Sequence, residues 1–551
     1  MEGLKEKRTA AQHFVHGTLF LSAAVFFCKL LGLIYIVPLQ HLIADRGVGI
    51  HNAAYPIYNI FLQISTAGLP LAISKFVSEY NAKGDYRTSE RLYRALLVMM
   101  WFSGLLFAAI QYFGAPAYVR YFAGDNKDVI PAVQAMAPAL LVFPVIAIMR
   151  GYFQGWQMVE PTGYSQVVEQ VVRVVTVLGI AYAMSKWGAP VEQIAAISTL
   201  GAFTGGLAAL WWLVGTSRKH RPGVRALLRK SMVSTAVPIG RLLARVVVYA
   251  IPISLGALVV PLFNQADVST VTMSLVHQVG LSQDEAMAQF GILSGRAQKI
   301  IAIPATFATT VALTIIPLVS EAYAIRNYAG VQRFAALSLR ASILIALPAG
   351  VGLALLAGPT NILLFGNDAG TAAIAILALS TVFSTLESVS SSVLQGMGMT
   401  VRPVVNLFIG LILKVVLNLW WVPLWGIGGA AAASVVSYWV AAELNLYQMK
   451  RLTSLRLSPI ALWGKPMLAT VGMVAAVQLW QWVFGGWMGD HHSRWVLALE
   501  LGSAVMIGVG VFAVLAVLLG AVAPKEVESL PRVGPAVARL LRTVGPRGVQ
   551  R

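Results

Sequence analysis

The sequence contains few charged residues and a single cysteine. Only 11% of its 551 residues are charged, whereas 58% are hydrophobic, and the mean hydropathy is +0.73. Soluble domains carry about 25% charged residues, so this composition excludes a soluble globular protein. Because Cys28 has no second cysteine to pair with, an intramolecular disulfide and a cysteine-based metal cluster are excluded as well. We therefore expect an all-α membrane protein.

Sequence motifs for nucleotide and metal chemistry are also missing. No glycine-rich Walker loop ending in lysine occurs, which excludes ATP as the direct energy source. Asp490, His491 and His492 lie in a predicted loop, where adjacent histidines are usually solvated rather than bound to a metal. We therefore expect no cofactor and no metal, with H⁺, Na⁺ or the membrane potential as the driving force.

Long apolar runs dominate the rest of the chain. A run of about 20 apolar residues crosses a bilayer as a helix. The sequence predicts about fourteen such spans, at 14–39, 51–73, 93–115, 132–154, 162–185, 191–215, 241–263, 291–318, 335–357, 369–395, 403–423, 427–447, 462–484 and 495–519. Pro144 in the fourth span and Pro252 in the seventh predict bends, either as hinges or as static kinks.

The distribution of positive charge predicts how these spans are oriented. The net charge is +19, which by itself could indicate nucleic-acid binding. However, the two termini and the even-numbered links, with the adjoining span ends, hold 31 of the 41 lysines and arginines. Basic links stay in the cytoplasm, so both termini are predicted to be cytoplasmic, in a bacterial cytoplasmic membrane. The charge therefore indicates membrane topology, and we expect no nucleic-acid partner.

The most basic link lies at residues 218–245, near the middle of the chain. It holds eight lysines and arginines, alternating with leucines. Such a pattern is typical of an amphipathic helix that lies on the anionic inner leaflet. We expect membrane lipid to be its partner.

Short stretches of sequence recur at an offset of 241 or 242 residues. Residues 77–79 read Val-Ser-Glu and recur at 319–321, Asp85-Tyr86 is echoed by Asn327-Tyr328, and Gln154-Gly155 recurs as Gln395-Gly396. The offset covers six spans, an even number, so the two halves enter the membrane with the same polarity as a parallel repeat. We predict a cytoplasmic N-terminus at 1–13, a six-helix lobe at 14–215, a basic linker at 216–240, a second six-helix lobe at 241–447, two extra helices within 462–519 and a basic cytoplasmic tail at 524–551.

Charged residues inside the predicted spans are the candidate site residues. A charge in the hydrocarbon costs at least about 2.5–3.5 kcal/mol, so each one should face a partner or a water-filled cavity. The candidate substrate-binding cations are Lys29, Arg173, Arg296, Lys299 and Lys414, and the candidate coupling acids are Glu169, Asp267 and Glu387. Because Glu169 and Arg173 are four residues apart, an internal ion pair is an alternative role for them.

The excess of buried cations over buried acids predicts an anionic ligand. A cleft lined with positive charge attracts phosphate-like groups. A guanidinium can bind such a group through two hydrogen bonds, and an ammonium binds it as a point charge.

Several longer motifs resemble a known family. The motifs are residues 69–81 with Gly84-Asp85-Tyr86; residues 150–155 with Met158, Pro161-Thr162, Ser165-Gln166-Val167 and Glu169-Gln170; and Gly291-Ile292 with Gly295-Arg296. Together they resemble the stage V sporulation protein B branch of polysaccharide exporters. That branch includes proteins similar to the MurJ lipid II flippase and belongs to the multidrug/oligosaccharidyl-lipid/polysaccharide superfamily.

This resemblance implies a two-lobed bundle whose cleft opens alternately to the two sides of the membrane. The implied substrate is an undecaprenyl-pyrophosphate-linked sugar, flipped from the inner to the outer leaflet. In the MurJ-like group a cationic cavity handles the pyrophosphate, and Arg296 is the best positional match for its basic residue on span 8. Span 1 of that group carries arginines where this chain has only Lys29. Spans 13 and 14 would help to form a groove for the lipid tail.

Two other classes of protein remain open. A cation-coupled multidrug exporter of the same superfamily would need an acid-lined cavity, which the excess of buried cations disfavours. A membrane glycan polymerase would need catalytic acids or bases in an outer loop, and residues 264–290 contain Asp267, His277, Asp284 and Glu285. We expect a transporter rather than an enzyme, and other cell-wall synthesis proteins are further candidate partners.

Overall fold

A computed structural model describes most of the chain. The described residues are 20, 21, 23–32, 34–66, 68–231, 238–453, 460–488 and 494–521. The regular elements within them are helices, as the apolar composition predicts, because a helix pairs its own backbone polar groups inside lipid. The predicted termini at 1–13 and 524–551 and the histidine pair at 491–492 lie outside the described residues.

Many helices of this chain are suited to a membrane. Eleven of the described helices are long and apolar enough to cross one, and a further pair that bends by 45° between Ile251 and Ile253 brings the number to twelve. Large apolar side chains remain exposed on them, such as Phe113 at 79% and Trp211 at 77%. Exposed apolar surface of this extent is suited to lipid contact. The chain is therefore a multi-pass membrane protein.

The predicted number of fourteen spans is compatible with these helices. The first of the eleven runs from Ala23 to Ala82 over 60 residues and covers the two predicted spans at 14–39 and 51–73. This run is not straight, because Ala44 has a non-helical backbone with φ 52°. The predicted span at 291–318 corresponds to a π-helical turn followed by a helix.

The chain consists of two compact units, residues 1–295 and 296–551. The helices of the first unit are α1 (residues 23–32), α2 (Ile36–Ala53), α3 (Tyr55–Thr66), α4 (Leu69–Ala82), α5 (Tyr86–Phe122), α6 (Val129–Gly155), α7 (Glu160–Lys186), α8 (Val191–Ser198), α9 (Gly201–Arg229), α10 (Ile239–His277) and α11 (Gln283–Gly291). One hydrophobic core joins them, with Leu39 from α2, Ile73 from α4, Leu96 from α5, Leu140 from α6 and Leu213 from α9.

The helix α11 is held close against α2 within this unit. A β-carbon on Gly49 would lie 2.1 Å from the carbonyl oxygen of Met287, and one on Gly291 would lie 1.9 Å from that of Asp45. Only glycine permits two helix backbones to approach so closely. The compact unit therefore includes α10 and α11, which lie beyond residue 240 of the predicted linker.

The second unit follows a π-helical turn at Ile292–Ala297, which starts in the first unit. Its helices are α12 (Gln298–Ala324), α13 (Tyr328–Leu355), α14 (Ala357–Phe365), α15 (Thr371–Gly396), α16 (Val401–Trp425), α17 (Ile427–Thr453), α18 (Lys465–Met488) and α19 (Arg494–Leu518). Its main core contains Val319, Leu339, Leu386 and Met449. A smaller cluster, which includes Leu356 and Met473, fixes the two added helices α18 and α19.

The two units reproduce each other at the positions that the sequence repeat predicts. Asp85 caps the start of α5 by accepting a hydrogen bond from the Thr88 amide. Asn327 caps the start of α13 in the same way, by accepting from the Gly330 amide. Both pairs are 242 residues apart, so the pseudo-symmetric repeat is confirmed in local geometry as well as in sequence.

The backbone turns also match, although the residues in them differ. Gly84 has φ 72° and its counterpart Arg326 has φ 57°, while Gln157 has φ 60° and its counterpart Gly398 has φ 81°. A positive φ suits glycine and costs any other L-residue about 1–2 kcal/mol. Each unit therefore holds one strained residue where its twin holds a glycine.

Candidate functional site

A cluster of three charged side chains lies between α6 and α7 of the first unit. Arg150 stands near the end of α6, and Glu169 and Arg173 are one turn apart on α7. The four-residue spacing puts both α7 side chains on one helical face. The helices are joined at Trp156 to Val159, so the end of α6 and the start of α7 are neighbours.

The carboxylate of Glu169 accepts from both arginines. Its Oε2 lies 2.8 Å from Nη2 of Arg150, and its Oε1 lies 2.7 Å from Nη2 of Arg173. The Nε of Arg150 also donates to the hydroxyl of Ser165 at 2.9 Å. The predicted ion pair between Glu169 and Arg173 is therefore confirmed, and Arg150 joins it.

Two guanidinium groups and one carboxylate leave this cluster with one excess positive charge. The three side chains keep only 12–20% of their surface exposed, so bulk water screens that charge weakly. The Nε of Arg173 is buried and has no hydrogen-bond partner among the described residues. The cluster is thus an electropositive site that is both partly accessible and incompletely satisfied.

Aromatic side chains pack near Arg173, at one end of the cluster. The guanidinium of Arg173 lies 5.8 Å from the ring centre of Phe143. Tyr58 meets the same ring edge-on at 6.3 Å, and Tyr55 meets Tyr58 edge-on at 6.4 Å. These rings hold the guanidinium in a fixed orientation by packing and by cation–π attraction.

Lys29 lies on the helix that runs alongside α7. On α1, Ala24 lies next to Gly163, and Gly32 lies next to the amide of Gln170. Residues 24, 28 and 32 therefore share the face toward α7. Lys29 is one position off that face and is exposed, so its ammonium is not part of the contact between the two helices.

Arg296 is the largest fully buried side chain of the second unit. It is 1% exposed, and its Nη1 donates to the side-chain oxygens of Asn361 at 3.2 Å and Asn367 at 2.6 Å. Its guanidinium also lies 4.9 Å from the ring centre of Phe365. These three neighbours are neutral, and they orient the guanidinium.

The remaining predicted site residues are distributed over both units. In the first unit, Asp267 is buried on α10. In the second, Lys299 is half-buried at the start of α12, Lys414 is buried on α16 and Glu387 is buried on α15. Within the first unit, the structure brings Arg173 together with Glu169, while Lys29 lies on α1 and is exposed.

Glu387 on α15 is next to a chain of amide side chains on α16 and α17. Asn445 donates to the backbone carbonyl of Glu387 at 3.4 Å and accepts from Asn406 at 2.8 Å. Gln448 donates in turn to Asn406 at 3.1 Å. Buried amides connected in this way require every partner to stay in place.

Three residues of these sites were not predicted from the sequence. Arg150 was counted among the basic span ends, and 19 residues separate it from Glu169, so helical spacing gives no signal. Asn361 and Asn367 are 65 and 71 residues from Arg296. The motif at 150–155, which runs on to Glu169, was the one signal that pointed to Arg150.

A second charged cluster joins the odd-numbered links of the predicted topology. Arg46 binds Asp128 at 2.7 Å, Glu192 at 2.9 Å and Asp284 at 2.7 Å. Arg46, Asp128 and Asp284 come from links 1, 3 and 7, and Glu192 is the second residue of the predicted sixth span, directly after link 5. Their convergence puts alternate links on one side of the first unit, as the span assignment requires.

Known proteins match the chain over most of its length. Residues 14–323 match the family described as polysaccharide biosynthesis protein, which is more than half of the chain, and residues 257–420 match the family described as MatE. The chain belongs to the polysaccharide biosynthesis protein family.

Named relatives of this polysaccharide biosynthesis family protein occur in Bacillus subtilis (strain 168). It is similar to the lipid II flippase MurJ, with 28% identity over 515 residues that cover 90% of this chain and 94% of that protein. It is also similar to stage V sporulation protein B, with 23% identity over 534 residues that cover 96% of this chain and all of that protein. The branch predicted from the sequence motifs is therefore confirmed.

Solved structures show the same fold as this family member. The inward closed conformation of the lipid II flippase MurJ aligns with a TM-score of 0.65 at 14% identity, over 90% of this chain and 98% of that one. An inward-facing MATE family transporter of the MOP superfamily aligns with a TM-score of 0.61 at 15% identity, over 78% of this chain and 94% of that one. The predicted transporter fold with two pseudo-symmetric bundles is thereby confirmed.

Proposed function

We propose that this protein is a flippase for an undecaprenyl-pyrophosphate-linked saccharide. The cargo would be a precursor like lipid II, used for cell-wall or spore peptidoglycan. Alternating access would carry its headgroup from the inner to the outer leaflet while the polyprenyl tail stays in lipid. Family membership and the names of two relatives support this proposal, since both relatives cover at least 90% of the chain.

The observation that carries the proposal is the excess positive charge at Arg150, Glu169 and Arg173. A pyrophosphate headgroup needs donors for several anionic oxygens, and a guanidinium can supply two parallel hydrogen bonds. The Nε of Arg173 finds no hydrogen-bond partner in the part of the chain that the structure describes. An exporter of cationic drugs would instead need an excess of carboxylates here.

The proposed direction of transport rests on orientation. The basic even-numbered links predict that both termini are cytoplasmic. Outward movement of an anionic headgroup is favourable when the inside is negative, by about 2.3 kcal/mol per charge for each 100 mV. The membrane potential alone could therefore drive flipping, with H⁺ or Na⁺ bound at Glu169, Asp267 or Glu387 as the other proposed coupling.

Reconstitution with fluorescent lipid II tests the function directly. The purified protein is placed in proteoliposomes, and a membrane-impermeant reductant measures how fast the label changes leaflet. We expect Arg150→Gln and Arg173→Gln to slow transfer by about tenfold or more, since each removes a charge-assisted contact. The exposed Arg402 on α16 supplies the control, and Arg402→Gln should leave the rate unchanged.

Depletion in the source cell identifies the physiological cargo. We expect the lipid-linked precursor to accumulate on the inner leaflet. Ion-driven efflux of cationic drugs without any lipid transfer would establish the multidrug-exporter alternative instead. Formation of glycan polymer by the purified protein would establish a polymerase, and equal lipid transfer in empty liposomes would refute the proposed function.

A further inference from the structure

A cavity of about 610 Å³ opens between α5, α6 and α9 of the first unit. It is bounded by the start of α5, the end of α6 and the basic final third of α9. These three ends adjoin the even-numbered links, which are predicted to be cytoplasmic. A neighbouring hollow of about 440 Å³ shares Glu90 and Arg94 with it and extends to Arg229. We refer to the two together as the α9 pocket.

The floor of the α9 pocket is apolar and rigid. Tyr93 and Tyr152 stack with their ring centres 3.9 Å apart, and Trp156 meets Tyr152 edge-on at 6.2 Å. The Tyr152 hydroxyl donates to Glu90 at 3.0 Å, which fixes the ring position. Aliphatic side chains such as Val214 complete the wall. This surface can accept a hydrocarbon chain.

The rim of the α9 pocket is strongly basic. The single carboxylate that lines it, Glu90, already binds Arg94 at 2.9 Å and accepts from Tyr152. Within the described residues no carboxylate pairs with the remaining arginines of the rim. These are Arg87, Arg91, Arg218, Arg221 and Arg229, all of them exposed.

The basic end of α9 is fixed in place as a wall of the pocket. The backbone amide of Arg87 donates to the hydroxyl of Ser231 at 3.1 Å, and its Nε donates to the carbonyl of Leu228 at 3.3 Å. These bonds tie the end of α9 to the start of α5. The pocket is therefore bounded on three sides by anchored helices.

The α9 pocket is separate from the charged cluster at Glu169. The pocket and the charged cluster both include residues near the end of α6, but these residues lie on different faces of that helix. Arg150 turns toward α7, while Met149, Tyr152 and Phe153 line the pocket. A ligand of the pocket would therefore occupy a position other than that of the proposed cargo headgroup.

We propose that the α9 pocket binds an anionic phospholipid of the inner leaflet. The phosphate lies among the rim arginines, which bind phosphate oxygens by charge-assisted hydrogen bonds. One acyl chain lies on the aromatic floor. The cytoplasmic leaflet is the source of such lipids, and a basic helix beside it concentrates them. The proposal rests on the predicted orientation of the chain in the membrane. It does not depend on the identity of the transported substrate.

Thermal protection by defined lipids tests this site on the full-length protein in detergent. We expect phosphatidylglycerol to raise the unfolding midpoint and phosphatidylcholine to have little effect. The pocket variant Arg94→Gln/Arg218→Gln/Arg221→Gln should lose at least about half of that shift. The control Lys219→Gln/Arg225→Gln alters two exposed cations of the same helix that do not line the pocket. It should keep the full shift.

A second measurement reports on the acyl chain and does not depend on the arginines. Phosphatidylglycerol with brominated acyl chains should quench the tryptophan fluorescence of the wild type. Trp156→Phe should remove the share of this quenching that comes from Trp156. Val214→Phe narrows the pocket at its wall and changes no charge. It should therefore weaken the quenching as well. Size-exclusion profiles confirm that each variant is folded.

Three results would overturn the proposal. Equal loss of protection in the pocket and control variants would show a non-specific basic surface. Equal protection by inorganic phosphate or pyrophosphate would show a simple anion site with no lipid chain. Equal protection by phosphatidylcholine would remove the requirement for an anionic headgroup. None of these results bears on lipid II transfer, which is measured separately.

Discussion

Gly155 lies so close to Val77 that a β-carbon on the glycine would stand 2.7 Å from the β-carbon of the valine. Gly396 has the same relation to Val319, at 2.9 Å. Real β-carbons essentially never approach within 3.0 Å. In each unit a repeated glycine thus allows the end of one helix to rest directly on another.

Adding a methyl group at either contact should destabilise the protein. Overpacking a tight core contact costs about 1–3 kcal/mol, so Gly155→Ala and Gly396→Ala should each lower the thermal midpoint in detergent. Gly179 on α7 has nothing within 4 Å of its added β-carbon, and Gly179→Ala should be neutral or slightly stabilising. Equal effects at all three positions would contradict the close contact.

Removing the carboxylate at residue 169 should leave two buried guanidinium groups facing each other. Breaking a buried ion pair from one side costs about 3–5 kcal/mol, so Glu169→Gln should sharply lower thermal stability. The double variant with Arg150→Gln should recover part of the loss, because the repulsion disappears. Glu160→Gln, at an exposed position on the same helix, is the matched control and should unfold like the wild type.

Arg46 should matter more to stability than any one of its acidic partners. Arg46→Gln leaves three carboxylates clustered without a cation, at an expected cost of about 1–2 kcal/mol after allowing for their partial exposure. Asp284 is 63% exposed, and Asp284→Asn should cost less than about 0.5 kcal/mol. High salt should reduce the difference in stability between the Arg46 and Asp284 variants, because it screens these charges. Arg120→Gln, a change at an exposed arginine near the end of α5, is the control.

Arg296→Ala should abolish lipid transfer while leaving expression intact. The substitution removes a buried positive charge and the donors to Asn361 and Asn367. Arg296→Lys keeps the charge, but an ammonium cannot contact the Asn361 and Asn367 oxygens and the Phe365 ring at once. This variant should therefore retain only part of the wild-type transfer rate. Asn367→Ala keeps the guanidinium and should reduce the rate less than Arg296→Ala. Normal flipping by the alanine variant would remove Arg296 from the proposed transport site.

The start of α11 should become more mobile at acidic pH. Ser282 donates to the Glu285 carboxylate from its hydroxyl at 2.8 Å and from its amide at 3.0 Å, and these bonds lower the pKa of that carboxyl. Because this pKa is lower in the folded protein than in the unfolded chain, the ionised carboxylate stabilises the fold above the unfolded pKa of about 4.3. This contribution is lost as the pH falls through the pKa of the folded protein. The Ser282 hydroxyl also accepts from the Glu285 amide at 3.2 Å, and this bond does not depend on pH. Hydrogen exchange of the α11 amides should therefore differ more between Ser282→Ala and the wild type at pH 7 than at acidic pH.

Local sequence signals predicted much of the helical architecture. Helical spacing alone predicted that Glu169 and Arg173 meet, because four residues bring two side chains to one face. The repeat offset predicted that Asp85 and Asn327 occupy equivalent places, and both prove to be helix caps. Such features depend on residues that are close in sequence or copied at a fixed distance.

Features that depend on contacts between distant helices could not be predicted. Nothing near Arg296 in the sequence shows that the side chains of Asn361 and Asn367 will surround it. Arg150 looked like one more basic residue at a span end, because its partner stands on the next helix. The break at Ala44 falls in the predicted link between the first two spans, but the sequence did not predict that the helix continues from Ile36 to Ala53 on both sides of it.

The mismatched turns at Gly84 with Arg326, and at Gln157 with Gly398, show which substitution each turn can accept. Both members of each pair have a positive φ, so the backbone of one unit demonstrates that glycine fits the equivalent turn of the other. Arg326→Gly and Gln157→Gly should therefore keep both turns unchanged. Each would relieve about 1–2 kcal/mol of backbone strain, offset in part by the greater freedom of glycine in the unfolded chain.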